Sequence, residues 1–422
     1  MAHHASLLEW WEPTGLTKRT PRDQEDGSAL VSLGIELSEA SQGDRGVNMQ
    51  RSIACYESAL AVRRRETFPA EWARTMNNLG NAYCVLTDGN RGANLRKGIV
   101  CYGEALQVKT REAFPRDWAI AQNNLGNAYS QLPDGDKGAN LRRAIVYYVD
   151  ALEVITQEAF PTDWATIQNN LGEAFRNLPD GDQQENLQRA IDCYERALEV
   201  RTREAFPADW AMTQNNLGIA YSDLPDGDHG VNRRQAITCY EQALVVRTHE
   251  AFPADWAATQ NNLGSALLHL PDGDRGANVR QAIACFERAL EVRTRASFPA
   301  DWATTQNNFG SAYVRLPDGD RGMNLREAIA RYGRALEVRT REAFPADWAK
   351  TNLNWSVALE QQADLEPSHT RMLLGGAADR VRAAVEVFAQ LGHAHSSAQA
   401  SAILTRIQNK LTEYRPPSDH RC

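Results

Sequence analysis

Two apolar stripes at helical spacing recur along the chain in blocks of 46 residues. Around Trp118, the first stripe consists of Ala119, Leu125, Ala128 and Tyr129. The second stripe consists of Ala144, Tyr148, Ala151 and Leu152. Steps of three and four residues place each set on one face of a helix, so every block predicts two helices, called helix A and helix B below. A fixed period of this length predicts a solenoid, in which helix hairpins stack and share their cores with their neighbours.

A tryptophan marks the same position of each block. The seven residues are Trp72, Trp118, Trp164, Trp210, Trp256, Trp302 and Trp348. Each follows a phenylalanine by four residues, a spacing at which two side chains in the first helical turn can pack together. We therefore expect the tryptophan to pack at the joint between repeats rather than to bind a ligand.

Turn residues set the predicted limits of the helices. Phe114-Pro115 precedes helix A, and proline suits the first helical turn because its missing N–H has no partner there. Residues 132–135, Leu-Pro-Asp-Gly, end that helix. An asparagine is then predicted to cap helix B. The predicted caps are Asn48, Asn94, Asn140, Asn186, Asn232, Asn278 and Asn324.

The two stripes resemble the signature of the tetratricopeptide repeat (TPR) from about residue 28 to 362. The matching residues are Leu125, Gly126, Ala128 and Tyr129, followed by Ala144, Tyr148 and Ala151. The resemblance implies an all-α fold, a right-handed superhelix of about eight helix hairpins. Each block is 12 residues longer than the standard repeat of about 34 residues. The array of lengthened blocks is similar to bacterial TPR arrays and resembles kinesin light chain repeats in lengthened form.

The ends of the chain depart from the repeat. Residues 1–27, which include Trp10 and Trp11, have no assignment, and residues 29–39 predict a worn first helix A. Residues 363–422 predict a degenerate last hairpin, a capping helix and a short tail. Within them we expect a connection over 364–376, a helix over 377–390 and an amphipathic helix over 396–411 that covers the end of the stack.

Charge and hydropathy exclude several classes of protein. The net charge is −8, and Lys and Arg alternate with Asp and Glu in every block, so the basic stripe that nucleic acid requires is missing. No apolar run approaches the ~20 residues that span a membrane. The N-terminus lacks the pattern of a secretory signal. We expect a cytoplasmic protein that binds neither nucleic acid nor membrane.

Five cysteines occupy one position of the repeat. They are Cys55, Cys101, Cys193, Cys239 and Cys285. Equivalent positions of stacked hairpins are about 10 Å apart, too far for a disulfide, whose Cα atoms lie within about 7 Å. We expect half-buried free thiols, and the sequence has no Cys/His cluster with metal-ligand spacing.

An asparagine recurs in seven helices A, directly before the apolar position that is leucine in five of them. These residues are Asn78, Asn124, Asn170, Asn216, Asn262, Asn308 and Asn354, called the asparagine ladder below. The TPR resemblance places helix A on the concave surface, where an amide can hold both the N–H and the C=O of an extended peptide. A similar ladder lines the repeats of the O-GlcNAc transferase. The alternative is that the asparagine only ties one helix to its neighbour.

Variable positions of helix A are expected to give the groove its specificity. They are Arg74, Asn81, Ile120, Asn127, Glu173, Arg176, Met212 and Leu268. A clamp for a C-terminal carboxylate requires clustered basic residues, and Arg74, Arg176 and Lys350 lie in distant blocks. We therefore do not expect such a clamp.

Paired aspartates recur in the turns between helices A and B. They are Asp134 and Asp136, Asp180 and Asp182, Asp226 and Asp228, Asp272 and Asp274, and Asp318 and Asp320. The full calcium-loop pattern is absent, and Asp-Gly is a strong turn signal, so a structural turn is favoured over a metal site. The sequence also lacks nucleotide-binding and hydrolase motifs, and we expect no cofactor, metal or catalytic residue.

These observations predict a non-catalytic scaffold that holds an extended protein or peptide segment against the asparagine ladder. Two alternatives stay open. Near-identical repeats could join into a homo-oligomer or fibre, as a self-assembling structural solenoid. A pocket in the groove could instead serve a small-molecule sensor or an enzyme.

Overall fold

The computed structural model describes residues 24–40, 42–225 and 229–414. Within these ranges the chain forms seventeen helices and no strand. Trp10, Trp11, Asp226, Asp228 and the tail from residue 415, all considered above, lie outside the described residues. The contacts divide the chain into two compact units between Phe206 and Pro207.

The first unit contains four helix hairpins, each a helix A followed by a helix B. Its helices are α1 (Gln24–Glu39), α2 (Arg45–Val62), α3 (Pro69–Val85), α4 (Arg91–Leu106), α5 (Pro115–Ser130), α6 (Lys137–Leu152), α7 (Pro161–Asn177) and α8 (Gln183–Val200). Each helix B packs against its own helix A and against the next one in this unit.

The second unit contains four further hairpins and one more helix. Its helices are α9 (Pro207–Asp223), α10 (His229–Val246), α11 (Pro253–Leu268), α12 (Arg275–Val292), α13 (Pro299–Arg315), α14 (Arg321–Leu336), α15 (Pro345–Leu365), α16 (Thr370–Gln390) and α17 (Ala394–Glu413). The prediction of an all-α solenoid with about eight hairpins is confirmed over the described residues.

Helix A begins as the turn residues predict. Phe114 occupies the N-cap of α5 and Pro115 the first helical position. The N–H of Trp118 then donates to the carbonyl of Phe114 at 2.9 Å. The seven tryptophans are half-buried, and Arg65, Arg111 and Arg341 stack over Trp72, Trp118 and Trp348 at 5.5–5.8 Å.

Helix B begins four residues earlier than predicted, as in α6, where Asp136 and not Asn140 is the cap. The Asp136 carboxylate accepts from the N–H of Ala139 at 2.5 Å. Asn140 lies inside the first turn, and its side chain donates to the carbonyl of Asp134 at 2.9 Å. The asparagine therefore ties the turn to the helix instead of capping it.

The paired aspartates have separate structural roles. Gly135 between them has a φ of 81°, a left-handed conformation that suits glycine. While the second aspartate caps helix B, the first pairs with an arginine of the preceding helix B, as in Asp134 with Arg96 and Asp180 with Arg142. The predicted structural turn is confirmed at these positions.

A close approach of helices A and B explains the Gly–Tyr pair of the repeat. Tyr148 on α6 is buried beside Gly126 on α5. A Cβ atom on Gly126 would lie 2.5 Å from the tyrosine ring, closer than any carbon contact allows. The ring therefore fills the space that the missing side chain leaves.

The C-terminal end differs from the prediction in one respect. Helix α15 continues to Leu365 and α16 begins at Thr370, so the connection expected over 364–376 is much shorter. Helix α17 packs on α16 and buries Ala400 and Ile407 against apolar residues such as Val381 and Phe388. It therefore extends the core of the last hairpin.

The repeated cysteines lie deeper than expected. All five are buried, and none of them is in a disulfide within the described residues. Burial raises the pKa of Cys55 and Cys193 to about 11 and, as the main cause, that of Cys101 to about 12. The thiols are therefore neutral side chains of the core.

Candidate functional site

In the first unit, the asparagine ladder forms hydrogen bonds between consecutive repeats. The side-chain amide of Asn124 donates to the side-chain oxygens of Asn77, at 3.3 Å, and Asn81, at 3.1 Å. One repeat later, the amide of Asn170 donates to Asn123 at 3.3 Å and Asn127 at 3.0 Å. Both donors of each amide are thus used within the protein.

The second unit has the same link between repeats. Asn262 donates to Asn215 at 3.2 Å, and Asn308 donates to Asn261 at 3.3 Å. Asn354 donates to Asn307 at 3.1 Å. All seven residues of the asparagine ladder, including Asn216, are half-buried. The amides of Asn262, Asn308 and Asn354 thus tie one repeat to the next in this unit.

Tyrosine hydroxyls fix the partner asparagines. The hydroxyl of Tyr102 donates to Asn81 at 2.7 Å, and that of Tyr148 donates to Asn127 at 2.7 Å. Burial raises the pKa of both phenols well above the ordinary value, so they remain protonated donors. Sequence reasoning missed this link, although the tyrosine recurs in register with the asparagine.

The first residue of the asparagine ladder differs from the others. Val31 and Ile35 occupy the positions that Asn77 and Asn81 hold one repeat later, and they offer no acceptor to Asn78. Among the described residues Asn78 has no hydrogen-bond partner. It lines a cavity of about 360 Å³ together with Asn81, Ile35, Ser38, Glu39 and Arg45.

The cavity beside Asn78 joins amide, charged and apolar groups. Met49 and Tyr56 form part of its wall. Ile35 and Val85 also line it and are exposed to solvent, and Arg45 contributes a positive charge. A free amide offers a donor and an acceptor, the two groups that a peptide bond requires. Two of the site residues predicted from the sequence, Asn78 and Asn81, therefore line the same cavity.

A second cavity joins two of the predicted specificity residues. Arg74 and Ile120 line about 120 Å³ with Asn77, Lys109 and Asp117. The buried Lys109 pairs with Asp117 at 2.6 Å. At this cavity, Lys109 and Ala121 occupy the positions of the arginine and threonine of other repeats. Because these side chains are smaller, part of the space between the helices is unfilled.

The remaining predicted specificity residues do not share one site. In the first unit, Glu173 is exposed and Arg176 is half-buried at the end of α7. In the second unit Met212 is half-buried. Leu268 is only 6% exposed and belongs to the core of that unit, which corrects its assignment to a ligand-binding surface. Its apolar character reflects packing between repeats.

Over the described ranges, no group of three or more His, Cys, Asp or Glu side chains is arranged to hold a metal ion. Within the same ranges, none of the helices has the length and apolarity needed to cross a membrane.

Comparison with known proteins gives a repeat family and a fold. Residues 119–149, 168–199, 211–244 and 257–291 match the family model of the Sel1 repeat. No curated protein matches the sequence. A Rap protein, solved in complex with Competence and Sporulation Factor, is 15% identical with a TM-score of 0.52, over 93% of this chain and all of that chain (100%).

Two further solved structures are similar at lower TM-scores. BtubC (BKLC) from P. vanneervenii is 24% identical over 59% of this chain and 92% of its own, with a TM-score of 0.44. A chain of the APC/C hetero-tetramer Cut9-Hcn1 is 15% identical over 96% of this chain and 80% of its own, with a TM-score of 0.42.

The helix hairpins, the repeat signature and the Sel1 matches define the class of this protein as an α-solenoid of repeats. More particularly, it is a TPR-type repeat protein. Such a repeat scaffold is suited to protein–protein interaction, and no catalytic role is indicated.

Proposed function

We propose that this chain is a scaffold that holds an extended protein segment against its helices A, through the asparagine ladder. The observation that carries the proposal is Asn78, whose amide is partnerless among the described residues and lines the 360 Å³ cavity of the first hairpins. An extended segment presents backbone N–H and C=O groups without regard to its sequence, and this amide can satisfy both.

The later members of the asparagine ladder have a narrower role in this proposal. Because the donors of Asn124 and Asn170 bond to the preceding repeat, only their oxygens are available to a ligand. They would accept from backbone N–H groups of the segment while keeping the repeats together. In this proposal, Asn124 and Asn170 therefore have both roles: they tie neighbouring repeats together and also contact the segment.

The exposed and half-exposed side chains nearby would select among segments. In the first unit, Arg74, Ile120 and Glu173 are among the predicted specificity residues with accessible surface, and their chemistry differs. The Rap protein of similar fold was solved bound to Competence and Sporulation Factor. On the fold alone, that complex supports a binding role for this architecture.

The test compares Asn78→Ala with Asn124→Ala. Peptides selected from a random displayed library on the wild-type chain would be measured by fluorescence anisotropy against each variant. Asn78→Ala should weaken binding about tenfold at unchanged stability, because the amide has no hydrogen bond to lose among the described residues. Asn124→Ala should lower stability as well, because it removes two bonds between repeats.

Asn409→Ala provides the matched control, since Asn409 is an exposed asparagine on α17. It should leave both binding and stability unchanged. Equal peptide affinity of the wild type and the Asn78→Ala variant would rule out the proposed role of this residue.

A further inference from the structure

An exposed apolar surface interrupts the charged outer face of helices B in the first unit. Val100 on α4 is 62% exposed, and Val146 and Val149 on α6 are 56% and 46% exposed. One repeat beyond α6, the positions of Val146 and Val149 carry Asp192 and Glu195. The valines are therefore a local departure from the repeat and not a general property of it.

Aromatic side chains and cations surround these valines. Lys97 lies over the ring of Tyr83 at 5.0 Å, and Arg143 lies over the ring of Tyr129 at 5.5 Å. Tyr147 stacks on Tyr129 with the ring centres 5.5 Å apart. It replaces the cysteine found at this position in five other repeats.

We call Lys97, Val100, Tyr129, Arg143, Val146, Tyr147 and Val149 the outer patch. On α6 it borders an open concavity of about 570 Å³ lined by Tyr129, Arg143, Val146 and Tyr147, with Ala139 and Arg142. Such a mixture of exposed aliphatic, aromatic and basic groups is typical of protein interaction sites.

The two cations of the outer patch have no carboxylate partner among the described residues, whereas their neighbours do. Arg142, which adjoins Arg143, pairs with Asp180, and Arg96, which adjoins Lys97, pairs with Asp134. The carboxylate of Glu104 lies two turns beyond Lys97 and faces Arg65 at 3.8 Å. Within the part of the chain that the structure describes, Lys97 and Arg143 therefore present positive charge that no carboxylate pairs with.

At the equivalent positions, the hairpins after α6 have neither the exposed valines nor the unpaired cations of the outer patch among the described residues. In the next hairpin, Arg189 occupies the position of Arg143 but pairs with Glu185 at 2.5 Å. In the second unit the same position carries Gln235, Gln281 and Glu327. Unpaired cations and exposed valines thus coincide in two hairpins of a chain whose net charge is −8.

We infer that the outer patch binds an acidic protein segment that carries an apolar anchor. The valines and the concavity would take the apolar side chain, while Lys97 and Arg143 would pair with flanking Asp or Glu residues of the segment. Two uncompensated cations favour such a partner over a basic or neutral one, because opposite charges across an interface promote encounter and exclude like charges. Apart from Tyr129 on α5, this site lies on helices B, and it contains no residue of the asparagine ladder.

Three short fluorescent peptides test the inference on the full chain. The first has Asp and Glu around a central Leu-Phe pair, the second replaces every acid by Lys, and the third replaces Leu-Phe by Ser-Ser. The acidic apolar peptide should bind best, and its affinity should fall as salt is raised. Arg143→Glu combined with Val146→Asp should weaken that binding about tenfold or more.

Gln281→Glu combined with Ala284→Asp introduces the same two residues at the equivalent positions of α12, and it should leave binding unchanged. Asn78→Ala should also bind the acidic peptide normally, which separates this site from the asparagine ladder. Equal binding by the wild type and the Arg143→Glu, Val146→Asp variant would overturn the inference. So would a mass measurement showing that the patch variant removes self-association, because a second copy of the chain would then be the occupant.

Discussion

At the residue scale, a buried arginine–threonine pair joins helix B to the next helix A at four junctions of the described residues. In the second unit the Arg293 guanidinium donates to the hydroxyl of Thr305 at 3.2 Å and lies 3.5 Å from Asp301. Burial lowers the pKa of Arg293 from its ordinary value. The same link recurs as Arg63–Thr75, Arg247–Thr259 and Arg339–Thr351.

The first unit contains an apolar version of this pair. Ile155 and Ile167 occupy the two positions there, and both are buried in one cluster. Arginine occurs with threonine and isoleucine with isoleucine, so the two positions change together within one chain. The pairing therefore acts as a unit.

This covariation predicts the result of a substitution series. Arg293→Ala should cost about 2 kcal/mol of unfolding free energy, because it leaves the Thr305 hydroxyl buried without its donor. Arg293→Ile with Thr305→Ile should restore stability to within about 1 kcal/mol of wild type, since a packed apolar pair can replace a buried polar one. Chemical denaturation measures both values, and a double variant less stable than Arg293→Ala would contradict the prediction.

At the element scale, the caps show why helix limits were harder to predict than helices. Aspartate and asparagine are equally good N-caps, and both occur within five residues of the turn. The sequence pattern places Asn140 just before the apolar run, whereas the helix actually begins after Asp136. Only the backbone geometry of the turn distinguishes the two.

The cap can be tested at Asp274, whose carboxylate accepts from the N–H of Ala277 at 3.1 Å. Asp274→Ala should destabilise the start of α12 by about 1 kcal/mol, while Asp274→Asn should retain most of the stability. Hydrogen exchange of the first amides of α12 reports the change locally. Unchanged protection in the alanine variant would show that the cap contributes nothing.

At the scale of the whole molecule, the period of the sequence suffices to predict the hairpins but not their ends. The fixed spacing of the tryptophans correctly predicts about eight hairpins, each a helix A followed by a helix B. It does not predict the short connection before Thr370, because residues there no longer follow the repeat. For the candidate site, the asparagine register was visible in the sequence. The burial of Leu268, and the lack of a partner for the Asn78 amide among the described residues, depend on contacts between repeats.

The end of the array depends on a buried charge. The side chain of Glu360 on α15 is only 5% exposed and pairs with Arg406, at 2.7 Å, and Lys410, at 3.2 Å, both on α17. Removing both cations leaves a carboxylate in a site that water hardly reaches.

Arg406→Ala with Lys410→Ala should therefore lower the unfolding free energy by about 3 kcal/mol. Adding Glu360→Gln should recover part of this loss, since it removes the stranded charge. Arg382→Ala, at an exposed pair with Asp379, is the control and should cost less than about 1 kcal/mol. Thermal unfolding of the four proteins measures the series, and equal losses for the test and the control would contradict the role of Glu360.

The paired positions at the junctions also restrict how such an array can gain or lose repeats during evolution. A recombination point between an arginine such as Arg293 and its threonine, Thr305, would join halves of different junction types and could place an arginine against an isoleucine. A duplication cut within helix B, before the first member of the pair, keeps both halves together. Whole junctions, rather than hairpins, are thus the segments that can be exchanged without loss of stability.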